Sequence, residues 1–187
     1  MITILSFYKF KKIKKLKLIK KKLFKEINLL SLKGLIILSP EGINGTISGT
    51  PKSISIAKKY LLFVLNISKF DVQNITYSKF VPFLKAKIKI KSEVVPINEK
   101  YDFNKKIKKN YLTPFQWNKF LDKKNNKIID ARKPFEYEVG TFKKAINPNT
   151  KNFREFKNYL SGIKKKDHIG MFCTGGIRCE KEGQHYG

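Results

Sequence analysis

The chain is poor in the residues that cross-link a fold or clip it with metal. Its 187 residues include two cysteines, Cys173 and Cys179, two histidines, His168 and His185, and one tryptophan. Two cysteines cannot staple a chain of this size, so a disulfide scaffold is excluded. The N-terminus lacks the charged, apolar and small-residue order of a secretory leader, and the expected setting is the reducing cytoplasm. No apolar run approaches the ~20 residues of a membrane span, so no membrane partner is expected. No metal-ligand cluster and no flavin motif is legible, and the residues identify no cofactor and no metal site. Acidic residues are also scarce, with 14 against 41 lysines and arginines.

That imbalance gives a formal charge of +27, a field that attracts polyanions such as RNA and speeds encounter with them. Only Arg132, Arg154 and Arg178 are arginines, and the lysines stand in a chain crowded with isoleucine and asparagine. An AT-rich genome yields the same pattern, so charge alone leaves nucleic-acid binding open. The 41% hydrophobic content suffices for one ordinary domain or two small ones.

Ile2 to Phe7 is a β-prone opening. From Lys11 to Asn28 the apolar residues Ile13, Leu16, Ile19, Leu23, Phe24 and Ile27 recur at helical spacing, a core stripe beneath a lysine-covered face. Gly34 to Leu38 reads as a buried strand, Ser39 to Gly45 as a turn and Thr46 to Ser48 as the returning strand. A helix follows from Pro51 to Asn66, with Ile54, Ala57, Leu61, Val64 and Leu65 on one side. Lys85 to Val95 alternates Ala86, Ile88 and Ile90 with lysines, as a half-buried strand does. The order β-α-β-β-α-β predicts an α+β ferredoxin-like domain over residues 1–97. The Glu41 to Gly45 stretch has two readings: a hairpin turn needing glycine, or an RNA contact through the backbone at Gly42, Asn44 and Gly45.

Residues 98–110 are polar and lysine-rich, and are expected to link this domain to a second one over 111–187. Thr113, Pro114 and Gln116 predict a capped helix carrying Trp117, Phe120 and Leu121. Lys127 to Asp130 reads as a strand and Pro134 to Val139 as a brief helix ended by Gly140. Asn152 and Glu155 form a capping pair for a helix that turns Phe153, Phe156, Leu160 and Ile163 inward. Ile169 to Phe172 is the next strand. Strands alternating with helices predict a parallel α/β sheet with reactive loops at the strands' carboxyl ends. Asp130 and Cys173 would then share a rim, where Arg132 and Glu136 are close enough in sequence to pair. His168 is expected to face solvent, and His185 lies too near the end to be assigned a role.

The stretch from Cys173 through Thr174, Gly175, Gly176 and Ile177 to Arg178 carries the chemistry. Paired glycines let a loop curl and aim successive N–H groups at one spot, an anion cradle. A cysteine at its centre would be held as thiolate by those dipoles, by a following helix N-terminus and by Arg178. Cys173 is therefore a candidate nucleophile; the alternative is a structural cysteine in a Gly-Gly turn. Cys179, at the likely helix start, is a candidate resolving thiol or a packing residue.

Asp130-Ala131-Arg132, Glu136 to Gly140, Ala145-Ile146-Asn147 and the Cys173 loop together resemble a rhodanese domain, whose loop cysteine carries sulfur as a persulfide. Cysteine-based phosphatases resemble the loop as well, but place five residues between cysteine and arginine where this chain has four, so sulfur chemistry leads. Ser6 to Phe10, Glu41 to Thr46, Phe80-Val81-Pro82-Phe83 and the run from Tyr137 to Lys181 extend the likeness. Together they resemble the rhodanese-containing, oxygen-dependent tRNA uridine hydroxylases. The resemblance implies hydroxylation of the wobble uridine to 5-hydroxyuridine, with molecular oxygen as co-substrate, tRNA as partner and Cys173 as the reactive residue. It also implies a longer rhodanese domain, so the α/β half is expected to be incomplete and the chain a truncated copy, with Glu182 to Gly187 breaking the last helix. An inactive RNA-binding fragment and a plain sulfurtransferase remain the alternatives.

Overall fold

Alternating burial of Thr3, Leu5 and Phe7 marks Ile2–Phe10 as a strand, β1, whose Leu5 and Phe7 point into a core. The computed structural model describes residues 1–97, 100–105, 111–150, 155–163 and 168–186, which divide into two units, Met1–Val94 and Val95–Gly187. In the first unit β1 is followed by α1 (Leu16–Leu29), β2 (Lys33–Ser39), β3 (Gly42–Gly49), α2 (Pro51–Leu65), β4 (Val72–Ser78) and β5 (Ala86–Ile90). The sheet order is β4-β1-β3-β2-β5, with β5 parallel to β2 and the other neighbours antiparallel. Both helices lay their apolar stripes on one face of it. Leu23 and Ile27 from α1 and Ile54, Ala57 and Leu61 from α2 pack against Leu5, Ile36, Leu38, Ile43 and Ile47.

The ferredoxin-like order is present, with two corrections to its parts. The strand that closes the motif is β4, not Lys85 to Val95. β4 runs along an edge beside β1, so most of its residues are exposed and carry little hydrophobic alternation. Ala86–Ile90 is instead a fifth strand on the opposite edge. The first helix also starts later than its periodicity suggests: Ile13 is buried ahead of it, with its N–H bonded to the Pro40 carbonyl at 2.9 Å. Thr50 caps α2, accepting the Ser53 N–H at 3.1 Å, and Pro51 opens it.

The hairpin expected at Glu41 to Gly45 is present, with a shorter turn. The turn is confined to Pro40 and Glu41, and β3 begins at Gly42. β3 lies between β1 and β2, so its backbone groups serve the two ladders rather than a ligand cradle. The glycines answer to packing. A Cβ on Gly45 would lie 2.9 Å from the Phe7 ring and 3.0 Å from the Ile36 side chain, and one on Gly42 would lie 2.3 Å from the Lys9 carbonyl oxygen.

The second unit contains α3 (Pro114–Asp122), β6 (Lys127–Asp130), α4 (Pro134–Val139), β7 (Ala145–Ile146), α5 (Phe156–Ser161), β8 (Ile169–Phe172) and α6 (Ile177–Tyr186). Its strands form a parallel sheet in the order β7-β6-β8. Thr113 and Gln116 make the expected capping box on α3. Asn152 and Phe153 lie outside the described residues; Glu155 precedes α5 without a side-chain cap, while Phe156 and Leu160 are buried. Much of the 98–110 stretch also lies outside the described residues. Within it, Asp102 is fastened to α6: its N–H donates to the Gln184 Oε1 at 2.8 Å, and its carbonyl accepts from the Gln184 Nε2 at 2.6 Å.

The last helix departs most from the sequence reading. Far from breaking after Lys181, α6 continues through Gly183 to Tyr186. Burial of polar residues holds it: Lys181 is fully enclosed and its Nζ donates to the Val95 carbonyl at 2.7 Å, while Glu180 accepts the Tyr111 hydroxyl at 2.8 Å. Such tertiary bonds outweigh the ~1 kcal/mol by which an interior glycine disfavours a helix.

Candidate active site

Parallel pairing of β6 with β8 sets Asp130 opposite Phe172, so both strands deliver their carboxyl-terminal loops to one rim, Arg132 from the first and Cys173 from the second. Asp130 is fully buried and accepts from Arg132 Nε at 2.9 Å and Nη2 at 2.6 Å, from the Arg132 N–H at 3.0 Å and from the Thr141 hydroxyl at 2.9 Å. Burial pushes its carboxyl up, but the Arg132 and Thr141 hydrogen bonds outweigh it and hold the group below the ordinary carboxylate value. Arg132 also donates to the Gly140 carbonyl at 2.6 Å and lies over the Phe172 ring, 5.4 Å from its centroid. The Asn147 amide ties the Asp130 and Arg132 carbonyls at 3.2 and 3.0 Å. Thr141 was not legible as a site residue; the only hint is a hydroxyl directly after the glycine that ends α4.

Glu136 is turned to the loop rather than to Arg132, contrary to the pairing that sequence proximity suggested. Its carboxylate accepts the Thr174 hydroxyl at 2.6 Å and the Lys133 N–H at 3.1 Å, and lies 3.5 Å from the Arg178 guanidinium. Burial raises this carboxyl, and the bonds from Thr174 and Lys133 with the Arg178 charge bring it below its ordinary value. Spatial register, which sequence does not state, separates the two pairings: Arg132 closes on Asp130, and Arg178 on Glu136.

Cys173 sits where β8 ends, and the chain curls around its sulfur. Gly176 adopts φ +81°, a region glycine enters without the Cβ penalty, and its N–H donates to Cys173 Sγ at 3.1 Å. The thiol is pushed down to about 5: the Cys179 thiol donates to it, burial opposes, and the N–H groups of Cys179, Gly175 and Arg178 add to the lowering. Arg178 thus serves the sulfur through its backbone. Its guanidinium donates to the Ala131 carbonyl at 3.3 Å and pairs with Glu136, which braces the loop. Thr174 and Gly175 are exposed, Gly176 is half-buried and Ile177 is buried. A cavity of about 310 Å³ opens beside the sulfur, lined by Arg132, Gly140, Thr141, Phe142, Phe172, Cys173 and Thr174. A thiolate facing a small pocket with an adjacent guanidinium is suited to attack a compact electrophile and to hold the anion that results.

Gly42, Asn44 and Gly45 belong to β3 of the first unit and are not part of this rim. His168 is exposed ahead of β8, and His185 falls within α6. Among the described residues no group of three or more His, Cys, Asp or Glu could hold a metal ion, and no helix is long and apolar enough to cross a membrane.

Two family models match the chain: the UPF0176 acylphosphatase like domain over residues 2–94 and the Rhodanese-like domain over residues 114–185. The chain is 47% identical over 183 residues to the tRNA uridine(34) hydroxylase of Pelagibacter ubique (strain HTCC1062), covering 97% of this chain and 60% of that protein. It is 39% identical over 186 residues to the protein of the same name from Legionella pneumophila (strain Corby), covering 96% of this chain and 72% of that one. The chain therefore spans about three fifths of the length of one relative and under three quarters of the other. Among solved structures, an acylphosphatase from Coxiella burnetii overlaps 47% of this chain and 90% of its own at 15% identity and a TM-score of 0.34.

Proposed function

Because the chain belongs to the tRNA uridine(34) hydroxylase family, we propose that it modifies tRNA, converting the wobble uridine to 5-hydroxyuridine with molecular oxygen as co-substrate. Cys173 is the reactive thiolate in this reading. The N–H groups of Gly175, Gly176, Arg178 and Cys179 hold its anionic forms, Arg132 lines the pocket at its side, and Arg178 with Glu136 keeps the loop closed. The lysines supply attraction to the phosphate backbone. A thiol kept ionised at neutral pH belongs in a reducing compartment, and we place the reaction in the cytoplasm.

The observation that carries the reading is the Cys173 sulfur, held ionised by its own loop in a chain whose relatives bear that name. The test is mass spectrometry of tRNA nucleosides from a deletion strain complemented with this chain. Restored 5-hydroxyuridine, absent with Cys173→Ser, is expected; no 5-hydroxyuridine from soluble protein would overturn the activity. A second reading, thiosulfate sulfurtransferase, draws on the four-residue gap between Cys173 and Arg178 and on the pocket beside Arg132. It predicts thiocyanate from thiosulfate and cyanide, with tRNA left unchanged.

A further inference from the structure

We infer that Cys179 is a second redox thiol, placed to close an intrachain disulfide with Cys173 once Cys173 has been oxidised. The pair stands apart from the reaction on tRNA, and its chemistry is read on the protein alone.

The two sulfurs meet because of how the loop folds. β8 ends at Phe172, the Thr174–Gly176 segment turns, and α6 starts at Ile177, so the third residue of the helix comes back over the residue that ended the strand. Both cysteines are free and half-buried. Both pack against one apolar cluster of Ile129, Ala131, Phe156 and Leu160. Each sulfur acts on the other: the Cys179 S–H holds the Cys173 thiol down, and Cys173 pushes the Cys179 thiol up. Only Cys173 lines the open cavity. A small oxidant entering there meets Cys173 first and finds Cys179 behind it.

The charges set the order of events. While Cys173 is a thiolate, Cys179 is held well above its ordinary value, by its hydrogen bond to Cys173, by burial and by the neighbouring negative charge. It is then inert. Hydrogen peroxide reacts with the Cys173 thiolate: an S–O bond forms, the O–O bond breaks, hydroxide leaves, and the sulfur is oxidised by two electrons to the sulfenic acid. That step removes the negative charge that kept Cys179 protonated. The Cys179 sulfur attacks the sulfenyl sulfur, an S–S bond forms, the S–O bond breaks, and the thiol proton leaves with the hydroxyl as water. The sum is two thiols and one peroxide giving one disulfide and two waters. A Cβ on Gly175 would meet nothing within 4 Å, so the loop has room to shift as the N–H groups release the sulfur.

The device spares Cys173 from the irreversible sulfinic state and silences it until a thiol reductant arrives. The full chain is treated near neutral pH with a severalfold excess of hydrogen peroxide, more than the two equivalents that a thiol needs to reach the sulfinic state, quenched by alkylation under denaturing conditions, and mapped by peptide mass spectrometry. The expected product is ~2 Da lighter than the reduced protein, holds Cys173 and Cys179 in one linked peptide, takes up no alkylating agent, and returns with dithiothreitol. In Cys179→Ser, and equally in Cys179→Ala, the same treatment drives Cys173 to sulfinic acid that dithiothreitol does not reverse. The inference is overturned if the wild-type chain yields sulfinic Cys173, or a disulfide between two chains, while Cys179 stays alkylatable. The wild-type map decides the matter even if neither variant folds.

Discussion

The two units spend their residues differently. In the first, the buried set is mostly aliphatic and aromatic, with Thr3, Ser39, Glu41 and Ser48 beside it, and two helices cover one face of a five-stranded sheet. In the second, a three-stranded sheet carries a smaller apolar cluster, and its fully buried positions include Asp130, Lys181 and Glu182. The first holds its shape by packing, which tolerates little change in volume. The second adds charged hydrogen bonds to its packing, and those of Asp130, Arg132, Glu136 and Arg178 border the Cys173 loop. Reactivity arises where burial is imperfectly apolar, and the polar cluster is the better guide to the site than the size of either core.

The comparison can be broken by mutation. The largest effect is expected in the first unit: Ile36→Ala, at a position with no exposure, should cost about 4 kcal/mol. Hydrogen exchange should show amide protection falling in β1, β2 and β3 while Cys173 keeps its reactivity. A parallel loss of Cys173 reactivity would mean that the units do not hold their shapes separately. Asp130→Asn should cost the second unit about 3 kcal/mol, because the Arg132 guanidinium loses its partner. Asp130 is a depressed carboxyl, so its contribution is complete above the unfolded value near ~4 and is lost as pH falls through the lower folded one. Acid unfolding of the variant should lack that phase; an unchanged acid limb would refute the assignment.

Thiol titration sharpens the contrast. Alkylation of Cys173 should rise with pH to an inflection near 5 and then level off, because only the thiolate reacts. At pH 7 that corresponds to roughly thirtyfold more thiolate than an ordinary cysteine holds. An inflection in the ordinary thiol range would remove the cradle from the argument. Glu136→Gln is the smallest change, since it weakens the Thr174 bond and the partly exposed Arg178 pair. About 1 kcal/mol of stability should be lost in urea unfolding.

Legibility in the sequence followed how strongly local residues decide local structure. β6, α4 and β8 have the bounds their flanking Asp130, Pro134, Gly140 and Cys173 imply. The Cys173 loop was legible because two glycines after a cysteine restrict what the backbone can do. β4 was not, since an edge strand with polar exposed residues lacks the alternation that marks a half-buried one. The pairing of Glu136 with Arg178 was hidden for a different reason: it joins residues 42 positions apart through strand register, and proximity in sequence pointed to Arg132. α6 was misread past Lys181 because Gly183 disfavours a helix locally, whereas the bonds from Lys181 and Gln184 come from residues some 80 positions earlier.

Those bonds bear on the order in which the protein is made. Val95 and Asp102 leave the ribosome long before Lys181 and Gln184, and must wait for them. All of the first unit's residues emerge sooner, so it is free to fold while synthesis continues. The helix that carries Cys179 and closes the loop on Cys173 appears after both Val95 and Asp102. Acid character in the thiol is thus acquired only once α6 has emerged and closed on Cys173, and a nascent chain that has not yet reached Cys179 exposes an ordinary cysteine rather than a reactive one.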